Sequence, residues 1–289
     1  AAVDLCSFLL NLSIEEGLRK RLRISFLCPF HLSLPAARLC ILCLRKIIEQ
    51  MGNLINLGDI DVVILCGGLG TRLRPVTGDL PKALVNICDR PFIDLLVEGL
   101  QQWGFKRFIL CVGYMRELVI CHVRQKKGWQ IEFSEEEVPL GTGGAIKKVI
   151  PLIGSEPFLV VNGDTICDVD FYKFFEFHKC NNGILSIALT MIHNAGDYGV
   201  VSIDNENRIK RFREKENGTG KRLVSAGIYM MNKTILSWMP DSIKFSLEYD
   251  VFPNMHRDLR HGFVTNGELI DIGTPQRYRT ATEFFLGKC

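Results

Sequence analysis

Between Asp61 and Lys82 the chain reads DVVILCGGLGTRLRPVTGDLPK, and no other stretch narrows the possible folds as far. It opens with Val62-Val63-Ile64-Leu65, an apolar and β-branched run of the kind that forms a strand buried on both faces of a parallel sheet. Gly67, Gly68 and Gly70 follow within four residues. Without a Cβ such a turn reaches positive φ and lets backbone N–H groups close on an anion. Arg72, Arg74 and Lys82 then place three cations within reach of the turn. Strand, glycine turn and cations together describe a cradle for a polyphosphate. It is not a P-loop, because Gly70 is followed by Thr71-Arg72 rather than Lys-Ser/Thr. Nor is it a dinucleotide fingerprint, because Leu73 stands where the third glycine belongs.

The rest of the composition excludes several other classes. A net charge of +3 with no arginine-rich tract gives no footprint for nucleic acid. Eleven cysteines, an odd number set in apolar surroundings such as Leu65-Cys66 and Leu110-Cys111, suit buried free thiols in a reducing cytoplasm. The pair Cys40 and Cys43 has no second pair to complete a zinc site and reads as packing. No uninterrupted apolar run approaches the about 18 residues that a membrane span needs. Residues 1–57 differ from the remainder and read as an appendage, helical in part and without catalytic residues, with Met51 the expected native start. Residues 58–289 are expected to form one catalytic domain.

From Asp59 onward strand and helix signals alternate, which implies an α/β fold with a central mixed, mostly parallel sheet flanked by helices. Strands are expected at 62–65, 108–112, 131–133, 158–161, 185–190, 199–203, 209–213 and 223–230. Helices are expected from Pro91 to Leu100, near Arg116–Arg124, through Ala145-Ile146 with Thr142 as its cap, from Phe171 to about His178 capped by Asp170, over Leu247–Leu259, and from Pro275 to Leu286.

The strand at 158–161 and another apolar strand at Leu269-Ile270-Asp271 each end in a carboxylate. Val160-Val161-Asn162-Gly163-Asp164 and Leu269-Ile270-Asp271 both place an aspartate at the carboxyl end of an apolar run, the edge where open α/β sheets bind ligands. A hard dication bridging phosphate oxygens needs one or two protein carboxylates and otherwise water. Either aspartate alone reads first as an N-cap or turn former. Asp168 and Asp170 sit close behind and read as a loop-ordering residue and a helix cap.

The full spacing GGxGTRLxPxTxxxPK resembles the signature of the sugar-1-phosphate nucleotidyltransferases, with Cys66 where alanine is usual and Ala83 where proline often follows the lysine. PLGTGGAI, NGDT, AGIY, SLEYDVFP and IDIGTP extend the resemblance over about residues 58–287. It implies a Rossmann-like nucleotidyltransferase fold. It implies that Leu65, Gly67, Gly68, Gly70, Thr71, Arg72, Gly141, Thr142 and Asn162 bind the nucleotide. Gly199, Glu214, Lys215, Ala226 and Gly227 would meet the sugar phosphate, and Asp164 and Asp271 would hold Mg²⁺. Arg72, Lys82 and Asp164 would be the catalytic residues.

The expected reaction is in-line attack of a sugar 1-phosphate on the α-phosphorus of a nucleoside triphosphate, releasing pyrophosphate. Glu135, Glu136 and Glu137 ahead of the second glycine turn offer carboxylates to the N–H edge of guanine, which favours GTP with a heptose- or mannose-type phosphate. Thymidylyl or uridylyl transfer to a hexose or muramate phosphate is the alternative. A catalytically silent relative that binds nucleotide sugars is the reading from another class, and it would be expected to lack one of the five charged positions 72, 82, 164, 215 and 271, all present here. A second copy of the chain is kept as a candidate partner; nucleic acid and membrane are not.

Overall fold

The computed structural model describes residues 56–78, 80–193, 198–213 and 220–287. The appendage expected over residues 1–57 lies, but for its last two residues, outside them, and so do Glu214 and Lys215. At the centre of the described fold are four parallel strands in the spatial order β6 (Phe158–Asn162), β1 (Val62–Leu65), β4 (Arg107–Val112) and β5 (Gln130–Glu135). Their near-continuous apolar sequence follows from burial on both faces: Val62, Val63, Ile64, Phe108 and Val160 are all at 0% exposure. Helices make the crossovers, with α2 (Phe92–Gln102) between β1 and β4, α3 (Arg116–Arg124) before β5 and α4 (Gly141–Val149) before β6. A one-turn α1 (Arg74–Thr77) and a ribbon of β2 (Asn86–Ile87) and β3 (Arg90–Pro91) precede α2.

Beyond β6 the sheet becomes mixed. The long β11 (Lys221–Met231) runs antiparallel to β6 and β8 (Leu185–His193), and β12 (Arg260–Thr265) adds to β8 in parallel. One edge of β11 is divided: Ile228–Met231 pair with β6, whereas Val224 pairs with β9 (Val200–Ile203), which carries β10 (Ile209–Arg213). A register shift between Ser225 and Tyr229 marks the changeover, at Ala226-Gly227. A separate two-stranded piece joins β7 (Thr165–Cys167) to β13 (Leu269–Asp271), followed by α6 (Pro275–Leu286). The helix α5 (Phe171–Cys180) starts where Asp170 accepts from Lys173 N–H at 3.1 Å, the cap expected from sequence.

Two expectations are corrected. Thr142 does not cap a helix: α4 begins one residue earlier, at Gly141, and the Thr142 hydroxyl bonds elsewhere. Leu247–Leu259 is not one helix but a wide turn over Leu247–Val251 and two 3-10 turns, Phe252–Asn254 and Arg257–Leu259. The Ser246 hydroxyl caps the start by taking the N–H groups of Glu248 and Tyr249, but Pro253 has no N–H to offer, so the ladder of an α-helix cannot run through. The strands β2, β3, β7 and β12 were not expected.

Candidate active site

The loop leaving β1 lies along the carboxyl ends of β6 and β4. Cys66 N–H donates to Cys111 C=O at 2.9 Å, and Gly163 N–H to Leu65 C=O at 3.0 Å, fixing both sides of the turn to neighbouring strands. Gly70 takes φ 60°, and its carbonyl accepts from Leu73 N–H at 2.9 Å, which folds Gly68 to Arg72 into an exposed arch. Thr71 and Arg72 are exposed on it, whereas Leu73 is buried and anchors the arch against Phe92 and Ile272. The Cys66 thiol lies beneath. Burial, with Asp164 and Glu136 nearby, pushes it far above the ordinary thiol range, so it is no nucleophile.

The two acidic strand ends meet. Asp271 pairs across the β7–β13 ribbon with Thr165, the neighbour of Asp164, and Ile272 N–H donates to Asp164 C=O at 3.1 Å. The Lys82 ammonium, projecting from a 3-10 turn that begins after Pro81, is ion-paired with Asp164, whose other oxygen accepts from Thr165 Oγ1 at 3.1 Å. Burial alone would push the Asp164 carboxyl up, but Lys82, Thr165 and Arg72 together hold it below the ordinary aspartate value. Asp271 behaves oppositely: burial and the charge of Asp164 raise it, although Lys82, Arg277 and the Gly273 N–H favour its ionised form. Its Oδ1 accepts from Gly273 N–H at 2.7 Å and lies 3.3 Å from Arg277 Nη1.

Among the described residues no group of three or more His, Cys, Asp or Glu side chains is placed to hold a metal ion. A dication that completes its shell with phosphate oxygens and water needs fewer. Two hard-oxygen ligands side by side, one destabilised by the charge of the other, fit such an ion.

The second glycine turn enters α4 packed against the 243–247 segment: Gly143 and Gly144 N–H donate to Phe245 C=O, and Phe245 N–H to Leu140 C=O at 3.0 Å. Thr142 Oγ1 donates to Glu248 at 2.6 Å and accepts from Leu247 N–H at 2.9 Å. Between this turn and the arch is an open cleft of about 240 Å³, lined by Gly67, Tyr114, Glu136, Glu137, Val138 and Pro139 among others. Glu136 is buried; its Oε2 accepts from Leu140 N–H at 3.1 Å, and burial raises its carboxyl. Glu135 lies instead against Arg116.

On the other side, Gly199 C=O accepts from Ser225 N–H at 2.9 Å, which sets the 198–200 turn beside Ala226 and Gly227. Gly227 has φ 68°, and a Cβ there would come within 2.7 Å of Asn162 Nδ2, so only glycine lets this backbone approach the end of β6. Asn162 Oδ1 is buried with no hydrogen-bond partner. Sequence reading overlooked two groups here, Glu248 and Arg277. Glu248 lay within the SLEYDVFP resemblance, but its partners Thr142 and Tyr229 come from distant segments. Arg277 sat in the first turn of a helix read only as closing the fold.

The chain matches the nucleotidyl transferase family over residues 61–288. It is 35% identical over 217 residues to the D-glycero-alpha-D-manno-heptose 1-phosphate guanylyltransferase of Campylobacter jejuni, covering 75% of this chain and 96% of that one. It is 35% identical to the mannose-1-phosphate guanyltransferase of Hypocrea jecorina over 78% of this chain, but spans only 64% of that longer protein. The crystal structure of HddC from Yersinia pseudotuberculosis superposes with a TM-score of 0.71 at 37% identity, covering 78% of this chain and 99% of that one. A second HddC structure, complexed with GMP-PN, superposes equally well at 38% identity. With most of its length matched and the arch, acid pair and mixed sheet in one arrangement, the chain belongs to the nucleotidyl transferase family.

Proposed function

We propose that the protein joins GTP to a sugar 1-phosphate of the heptose or mannose type, releasing pyrophosphate and working in a reducing cytoplasm. The observation that carries this reading is the meeting of Asp164 and Asp271 beside Lys82, under the glycine arch. A phosphate monoester has its second pKa near ~6, so the attacking oxygen is already ionised at neutral pH and no side-chain base is required. What the protein must supply is positioning and relief of repulsion between two polyanions. The Gly68–Thr71 backbone and Arg72 receive the triphosphate and stabilise the departing pyrophosphate. Lys82 neutralises charge at the α-phosphoryl group. Asp164 and Asp271 would hold Mg²⁺, which when bound orients and polarises that group. The base enters the cleft beside Gly67, where Glu136 and Glu137 offer acceptors that the N–H edge of guanine satisfies and uracil does not. Gly199, Ala226 and Gly227 form the sugar wall, and Glu214 and Lys215 are assigned to the sugar and its phosphate by resemblance alone.

Pyrophosphate release over a panel of triphosphates and sugar 1-phosphates tests the reading. Turnover is expected with GTP and a manno-configured sugar 1-phosphate. Release with no pair would overturn the enzymatic reading, and a preference for UTP or dTTP would overturn the assignment of the base.

A further inference from the structure

Lys82 is ion-paired with Asp164 and its charge also reaches Asp271, whereas Arg277 lies 3.3 Å from Asp271 alone of the two acids. Arg277 is fixed at its base, because its N–H donates to Thr274 Oγ1 at 3.3 Å in the first turn of α6. Its guanidinium carbon lies 3.7 Å from the centre of the Tyr198 ring, immediately before Gly199 of the sugar-side turn. One side chain therefore touches both the second acid and the sugar wall. A guanidinium can stack on a ring and still direct N–H groups at an anion in its own plane, which an ammonium cannot. The contact with Asp271 is longer than the about 2.7–2.9 Å of a tight charge-assisted bond, as befits a pair that exchanges partners.

We propose that Arg277 is a positioning and anion-binding residue for the sugar 1-phosphate: it pairs with Asp271 until a divalent ion takes that carboxylate, and then passes to the sugar's phosphate. This rests on the proposed function. Arg277 and a divalent ion then compete for one carboxylate, and removing the arginine strengthens ion binding while weakening sugar-phosphate binding. A residue that merely props Asp271 in place would give the opposite sign for the ion.

The test uses wild-type protein, Arg277→Gln, Arg277→Lys and Tyr198→Leu. Free Mn²⁺ is measured by electron paramagnetic resonance in titrations of the metal-stripped protein, and KM is measured for GTP and for α-D-mannose 1-phosphate. For Arg277→Gln the expected result is tighter Mn²⁺ binding, a KM for mannose 1-phosphate raised about tenfold or more, and a KM for GTP changed far less. Arg277→Lys recovers the sugar-phosphate KM in part, and Tyr198→Leu, which keeps the cation but not the stack, gives a smaller rise. Weaker Mn²⁺ binding by Arg277→Gln, or an unchanged KM for mannose 1-phosphate, overturns the proposal. Should Arg277→Gln fail to fold, Arg277→Lys decides by the KM for mannose 1-phosphate and Tyr198→Leu by the same signs. Wild-type protein without turnover on this pair counts against the proposed function instead, and the Mn²⁺ titration then decides the role of Arg277 alone.

Discussion

Lys82 enters the site from a turn set by Pro81 and finds Asp164 already held by Thr165. Because the Asp164 carboxyl is held low, the pair adds stability that is present above the ordinary aspartate value and lost as pH falls from there through the lowered folded value. In Lys82→Met, Asp164 and Asp271 face each other without that cation. Unfolding should then show a loss of about 2 kcal/mol, below the value for a fully buried pair because the Asp164 side chain is 31% exposed. Adding Mg²⁺ should restore part of it. Turnover should fall by about 10²-fold or more, and near-normal kcat would remove Lys82 from the chemistry. Glu136 carries a separate prediction. Glu136→Gln exchanges an acceptor for a donor at the cleft, so the ratio of kcat/KM for GTP over UTP should fall about tenfold; an unchanged ratio would take Glu136 out of base selection.

At the scale of elements, the start of α4 is shaped by what lies against it. A Cβ on Gly143 would overlap the Phe245 ring, so Gly143→Ala should cost about 2–3 kcal/mol in denaturant unfolding. Since Thr142 adjoins it, KM for the nucleotide should rise as well, and an unchanged thermal midpoint would show that the segment yields freely. The elements legible in sequence were those whose signal is local. The β-branched runs of β1 and β6, the Asp170 cap and the Pro275 start of α6 each need only a few neighbouring residues to be read. The segment after Ser246 misled because Leu247, Val251 and Met255 repeat every four residues like a helical face. All three are instead pressed onto the sheet together with Phe252. The strand β12 stayed hidden because Arg260, His261 and Gly262 break its apolar pattern; it exists through pairing with β8 and packing around Phe263. For the same reason the acid pair could be named residue by residue, while Arg277 could not: its meaning depends on Tyr198, 79 positions away in the chain.

At the scale of the whole molecule, two histidines are buried among the described residues, His178 on α5 and His261 on β12. His178 is bonded to Ser186 at 2.9 Å and Asn232 at 3.1 Å, and burial, with the charge of His261, keeps it below the ordinary value against the pull of Asn232. His261 is lowered by burial and by Arg208, with Asp204 and Asp258 opposing. A folded state that binds fewer protons than the unfolded chain is stable above the ordinary histidine value of 6.5 and loses stability as pH falls below it. Denaturant unfolding from pH 7 to 5 should show that decline, and His178→Asn should flatten it. A pH-independent midpoint in wild-type protein would contradict the burial of both rings. The divided edge of β11 bears on a different matter, the making of hybrids. Because one continuous strand borders the arch-bearing half at Ile228 and the sugar turn at Val224, a chimera joined anywhere inside 221–231 would splice two registers together. Recombining nucleotide and sugar preferences between relatives therefore calls for breakpoints on either side of that strand, inherited as a single block.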